Sequence, residues 1–227
     1  MSTGGPEDRA TVLARVRRAL GRGAADDPSR AAAAARIEHP RANTIPMRAQ
    51  LQEPQLGELF EEMVRASQAT FERIPDVQAV PGAIAAWCAE QGIDGACVVA
   101  PASPLSELSW DEARVERRLV ESGDAVSVSE AALGVAETGT LLVGSGPATP
   151  VSANFLPDNQ VLVLRATDVV GTPEDAWQRL RTEGVLPRTL NWITGPSRSG
   201  DIEMTMLMGA HGPIRLHVLV VDERASA

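Results

Sequence analysis

Val161–Leu164 reads VLVL, four apolar residues in a row with no polar alternation. This run constrains the fold more than any other stretch. A strand with one wet face alternates apolar and polar residues, whereas an unbroken apolar strand is buried on both faces, as in a parallel sheet covered by helices. CVVA from Cys97 reads as a second short buried strand, and IRLHVLVVD as the last strand of the chain.

Helical patterns lie between such runs. Leu56, Leu59, Phe60, Met63 and Val64 form one stripe, VPGAIAAWCAEQG reads as a helix stopping at Gly92, and TPEDAWQRLRTEG as a capped helix with proline in its first turn. SWDEARVERRLVESG predicts another helix, with Ser109 and Glu112 spaced as a capping box, and RSGDIEMTMLMG predicts one more. ATFERI, Ala125–Val128, a run beginning near Thr140, and TLNWIT read as strands, with a short helical turn after Val128. The expected fold is α/β, a mostly parallel sheet with helices on both faces, over residues 54–227.

Residues 1–53 are expected to form a separate arm: an amphipathic helix over 7–21, then a linker in which AAAAAR makes a helical turn or two. Charge divides the same way. Residues 1–48 hold nine Arg against five acids, and residues 49–227 hold twelve Arg against twenty-five acids. A basic arm on an acidic body, with a net charge of −9, argues against a nucleic-acid partner. The arm's apolar face (Val12, Leu13, Val16, Leu20) is expected to dock on its own body or on a neighbouring subunit, which makes a homo-oligomer an option.

Every basic residue is Arg, and there is neither Lys nor Tyr, which excludes a Schiff-base lysine, a phosphate-loop lysine and a tyrosine acid or base. Cys88 and Cys97 are too few for an iron–sulfur cluster and lack the ligand pairs of structural zinc, so they read as buried thiols and the chain is expected to bind no metal or cofactor. No stretch approaches the ~20 apolar residues of a membrane span, and the N-terminus lacks a secretory signal's apolar core. The expected location is the cytoplasm.

Two polar loops at strand ends are the candidate sites. In AETGTLL, Glu137 offers a base, a carboxylate nucleophile or an acceptor, Gly139 a turn, and Thr138 and Thr140 hydroxyls. The same residues also suit a β-turn whose threonines bond locally. In ITGPSRSGDIE, Gly195-Pro196 turns the chain before Ser197, Arg198 and Ser199, which with a helix start would make an anion site, while Asp201 and Glu203 suit that helix's first turn. His211, bracketed by glycines, is either a ligand contact or a turn residue. Asn154, in NFLPDNQ, reads first as part of a turn and second as a ligand contact.

AETGTLL at Ala136–Leu142, LP at Leu156–Pro157, ITGPSRSGDIEMTMLMGAHGP at Ile193–Pro213 and the closing LHVLVVD together resemble the LUD domain family of lactate-utilization proteins, most closely its protein C branch, over about residues 55–222. The resemblance implies an isomerase/CoA-transferase-like α/β fold, related to ribose-phosphate isomerase and formyltetrahydrofolate cyclo-ligase. It also implies a part in oxidising L-lactate to pyruvate beside partner proteins that carry iron–sulfur clusters. The chain departs from the family pattern around PVSANFLPDNQ, which lacks the basic residue before LP and the histidine after it. Two functions follow as expectations. One is a cluster-free subunit of a lactate-oxidising complex that binds a small carboxylate or phosphate. The alternative is a free-standing isomerase or acyl/CoA-transferase-type enzyme with Glu137 as reactive carboxylate.

Overall fold

The computed structural model describes residues 8–23, 26–39, 44–110, 114–184, 186–199 and 207–222. The chain forms two compact units, 1–44 and 45–227. In the first, α1 (Arg9–Ala19) starts at Asp8, whose carboxylate accepts the Thr11 N–H at 2.7 Å. Asp26 caps α2 (Asp27–Glu38) in the same way through Ser29. The alanine run therefore lies within a three-turn helix, longer than the one or two turns expected, as suits the residue of highest helix propensity. Val12, Leu13, Val16 and Leu20 are exposed.

The second unit runs, in chain order, α3 (Gln55–Ala66), β1 (Thr70–Ile74), α4 (Val80–Gln91), β2 (Cys97–Val99), β3 (Val115–Arg117), β4 (Val126–Glu130), β5 (Leu133–Val135), β6 (Thr140–Gly144), β7 (Asn159–Arg165), β8 (Val169–Val170), α5 (Pro173–Thr182), β9 (Leu190–Ile193), β10 (Arg198–Ser199), β11 (Leu207–Met208) and β12 (Arg215–Val221). The central sheet has the order β1-β12-β7-β4-β2-β3, and all its pairings are parallel. A smaller mixed sheet, β8-β5-β6-β9, joins it.

The VLVL run shows why the sheet is covered twice. Leu162 and Leu164 face a core with Leu216, Val218 and Val220 of β12, Phe60 and Val64 of α3, and Leu141 and Val143 of the small sheet. Val161 and Val163 face the opposite core, with Leu219, Val221 and the α4 residues Ile84 and Trp87. Alternate residues of one strand thus serve two cores, and burying each aliphatic side chain stabilises the fold by about 1.5–3 kcal/mol. The outer face of the small sheet, through Leu133, Val135 and Leu142, packs on Ala176 and Leu180 of α5. That helix opens with a reciprocal capping box between Thr172 and Asp175 and proline in its first turn.

Three local expectations are corrected. The helix expected after Ser109 is replaced, among the described residues, by strand β3, which pairs with the open edge of β2; Glu112 lies outside the described residues. Trp110 is buried with its indole N–H on the Leu105 carbonyl (3.0 Å), and Arg117 Nε donates to the Ser106 carbonyl (2.7 Å), so tertiary contacts override the helical pattern. The turn expected after Val128 contains β5, which pairs antiparallel with β6. At 198–209 the ends are two paired strands, Arg198 opposite Met208 and Ser199 opposite Leu207; residues 200–206 of the expected helix lie outside the described ones. Cys97 is buried as expected, whereas Cys88 is half-buried.

Candidate functional site

Both polar loops are built against the C-terminal end of α3. Gly139 has φ +64°, and a Cβ there would lie 2.5 Å from the Met63 carbonyl carbon and the Val64 nitrogen. Gly195 has φ +71°, and a Cβ there would lie 2.3 Å from the Ser67 carbonyl oxygen. Glycine is needed at each place for its positive φ and for the close approach of two backbones. The loops also touch each other. Thr140, only 5% exposed, has its hydroxyl 2.6 Å from that of Thr138 and 2.7 Å from that of Thr194, beside Gly195.

The GPSRS and GAHGP segments form one structure. Ser197 N–H donates to the Pro213 carbonyl (2.9 Å), Gly209 N–H to the Ser197 carbonyl (3.0 Å), and His211 N–H to Ser197 Oγ (3.4 Å). Behind them lies a cavity of about 270 Å³, just under the ~300–1,000 Å³ of pockets that take drug-sized ligands. Its walls are Thr194 to Arg198 on one side, His211 to Pro213 on another, and Asn154, Phe155 and Gln160 with Trp192, Ile193 and Leu216 at the base. Gln160 and Leu216 are near the N-terminal ends of β7 and β12.

Among the described residues Arg198 is the only arginine in this lining, and no carboxylate reaches it. Its guanidinium is exposed and donates through Nη1 to Gln68 Oε1 at 3.2 Å. Gln68 itself has φ +70° just beyond α3, so the same helix end that seats the two glycines also steers the arginine. Asn154 and Gln160 are 3% and 1% exposed, and Gln160 Nε2 donates to Asn154 Oδ1 at 2.7 Å. Such a cavity offers a cation, a hydroxyl, amide groups and an imidazole with apolar walls, the means to hold a small anion.

Of the expected site residues, Gly195, Pro196, Ser197, Arg198 and His211 line this cavity. Ser199 is buried beside it in β10, and Asp201 lies outside the described residues. Because Arg198 and Ser199 are strand residues, the helix start expected there as an anion-binding element is absent from them. Glu137, Thr138, Gly139 and Thr140 do not line the cavity. Theirs is the turn joining β5 and β6: Thr138 N–H donates to the Val135 carbonyl (3.4 Å), and Glu137 N–H to the Gly171 carbonyl (3.0 Å). Gln160 and Gln68 were not among the expected residues. A glutamine heading the apolar run VLVL was the available signal for the first; nothing in the sequence marks the second.

Among the described residues no group of three or more His, Cys, Asp or Glu side chains is placed to hold a metal ion, and no helix is long and apolar enough to cross a membrane. His217 in β12 is buried and stacks on Trp87 (centroids 4.8 Å apart, planes 8° apart) with Nδ1 2.8 Å from Thr70 Oγ1. Burial lowers its pKa to about 4, so the ring is neutral.

Comparison with known proteins places this arrangement. Lactate utilization protein C of Shouchella clausii is 32% identical over 120 residues, 51% of this chain and 52% of that protein. Its counterpart in Bacillus subtilis is 30% identical over 120 residues, 51% of this chain and 50% of that one. The chain spans about half the length of these relatives. The crystal structure of a DUF162 family protein from Deinococcus radiodurans shares the fold at a TM-score of 0.58 and 23% identity, over 76% of this chain and 99% of that one. The LUD domain profile matches residues 57–221, which is most of the chain and includes every described residue of the cavity, and the chain belongs to the LUD domain family.

Proposed function

We propose that this chain is a protein C-type subunit of a lactate-utilization complex, acting in the oxidation of L-lactate to pyruvate beside iron–sulfur partner proteins, and that its cavity takes a small carboxylate. The relatives' names support the first part. One observation carries the second: in a body with twice as many acids as arginines, the cavity has Arg198 in its wall and no described carboxylate. Ser197 and His211 line the cavity with it, and a sequence with two cysteines suits a subunit that leaves electron transfer to its partners.

Calorimetric titration with lactate, pyruvate and inorganic phosphate tests the carboxylate reading. Saturable binding of the two carboxylates is expected, weakened about tenfold to a hundredfold in Arg198→Ala, as for the loss of one charge-assisted hydrogen-bonding group worth ~1.5–3 kcal/mol. No carboxylate binding, or equal affinity in wild type and variant, would overturn it.

A further inference from the structure

We infer that the free edge of β9 is a docking strand, to which the C-terminal end of an extended peptide adds in parallel so that its terminal carboxylate comes to Arg198. This rests on Arg198 as the carboxylate's partner, proposed above, and goes further in naming the chain that brings the carboxylate.

β9 is an edge of the small sheet, with β6 on one side only. Edge strands are normally blunted by charge, proline or shortness, because their unpaired backbone is a template for another chain. Three of the four edges of the two larger sheets follow that rule: β1 carries Glu72 and Arg73, β3 carries Glu116 and Arg117, and β8 is two residues long. β9, Leu190–Ile193, has neither charge nor proline in its four residues.

The cavity runs along that unguarded edge. Successive side chains of a strand point to opposite faces; Trp192 packs with the α5 core, and Ile193 with the core between the two sheets. A cavity lined by Trp192, Ile193 and Thr194 in succession therefore borders the strand's rim. The phase of the hydrogen bonds decides which backbone groups face it. The ladder sets Ser145 opposite Thr189, and Ser145 N–H donates to the Thr189 carbonyl at 2.8 Å. Bonded pairs in an antiparallel ladder recur at every second residue, so Asn191 and Ile193 turn their backbone groups to β6. Leu142, on the alternate phase, accepts from Ala132 N–H on the β5 side (2.8 Å). The N–H and C=O of Trp192 and the N–H of Thr194 thus point outward, and they have no hydrogen-bond partner among the described residues.

The spacing suits a peptide end. Trp192 and Thr194 are about 6.6 Å apart along the strand, two residues' rise. In a parallel pair one residue bonds through its N–H and its C=O to the two residues flanking its neighbour. With the Trp192 C=O accepting the last peptide N–H, the terminal carboxylate falls at the Thr194 N–H. From there the chain turns at Gly195-Pro196 to Ser197 and Arg198, in the same wall. Strand addition supplies affinity through the main chain, and the guanidinium rewards the free carboxylate. The ~270 Å³ of the cavity, with Ile193 and Leu216 at its base, takes a small apolar last side chain.

The probes are acetyl-trialanine acid, its C-terminal amide, and the acid methylated on its last peptide nitrogen. Calorimetry on the full chain is expected to show the acid bound, the amide about tenfold to a hundredfold weaker, and the N-methyl acid about tenfold weaker. Amide hydrogen exchange read by ¹H–¹⁵N spectra needs no variant. In the free protein the Trp192 amide should exchange at least about tenfold faster than those of Asn191 and Ile193, and the peptide acid, unlike pyruvate, should protect it. Equal affinity for the acid and its N-methyl form, a Trp192 amide that the acid leaves unprotected, or binding of pyruvate without the peptide acid would each overturn the docking strand and leave the carboxylate reading standing. Binding of neither pyruvate nor the peptide acid would remove both.

Discussion

Alanine at Gly139 tests the claim that the ETGT turn is seated on a helix backbone. Gly139 and Gly92 have the same φ, +64°, but Gly92 has nothing within 4 Å of an added Cβ, whereas at Gly139 the Met63 and Val64 backbone would stand at 2.5 Å. Gly92→Ala therefore measures the left-handed conformation alone, about 1–2 kcal/mol. Gly139→Ala adds a steric cost. Carbon contacts relax near 3.5–4.0 Å, so helix and turn must separate by roughly 1 Å, and overpacking of this kind adds about 1–3 kcal/mol. The expected loss is ~2–5 kcal/mol at Gly139 against ~1–2 at Gly92. Urea unfolding followed by circular dichroism reads both, provided the m-values agree; at this chain length each kcal/mol corresponds to about 2–4 °C in melting temperature. Equal losses in the two variants would refute the close seating of the turn.

Acid should destabilise the protein through His217: its folded pKa, lowered to about 4 by burial, lies below its ordinary value of 6.5, so its contribution is complete above pH 6.5 and is lost as pH falls towards 4. The effect is on the order of 3 kcal/mol, and a His217→Phe variant should show a flatter stability profile over that window; an unchanged slope would count against a neutral buried ring. Thr140→Val removes the hydroxyl that links Thr138 to Thr194 with little change of volume. It should cost about 1–2 kcal/mol in chemical denaturation, and it should weaken carboxylate binding less than Arg198→Ala does. A loss of affinity matching that of Arg198→Ala would mean that the ETGT hydroxyls touch the ligand after all.

The fold was legible where side-chain pattern and burial agree. VLVL had to be covered on both faces, and its alternate residues divide between the α3 and α4 cores. Pattern failed where a neighbour decides. Residues 115–117 lie within a segment of helical periodicity, yet the free edge of β2 and the burial of Trp110 favour an extended chain there. Leu133–Val135 is too short to declare a period of its own and becomes a strand because β6 lies alongside. At the site, the sequence marked residue types able to hold an anion, and Arg198, Ser197 and His211 line one cavity. What a linear reading cannot supply is the side of a turn that faces inward.

That limit explains the ETGT motif. Its acid, glycine and hydroxyls look like chemistry, yet Gly139 seats the turn on α3 and the threonine hydroxyls bond to one another and to Thr194. Within Met63–Gln68, the end of α3 meets Gly139 at Met63 and Val64, Gly195 at Ser67, and Arg198 through the Gln68 amide. The threonine hydroxyls then join the first loop to the second at Thr194. ETGT and GPSRS share a support, and among the described residues the second lines the cavity while the first does not. Rigid placement of this kind suits the carboxylate site proposed at Arg198, because hydrogen-bond strength falls steeply with misalignment. The predicted contrast follows: damage at Gly139 lowers stability first and affinity through it, while damage at Arg198 lowers affinity and leaves the fold as it is.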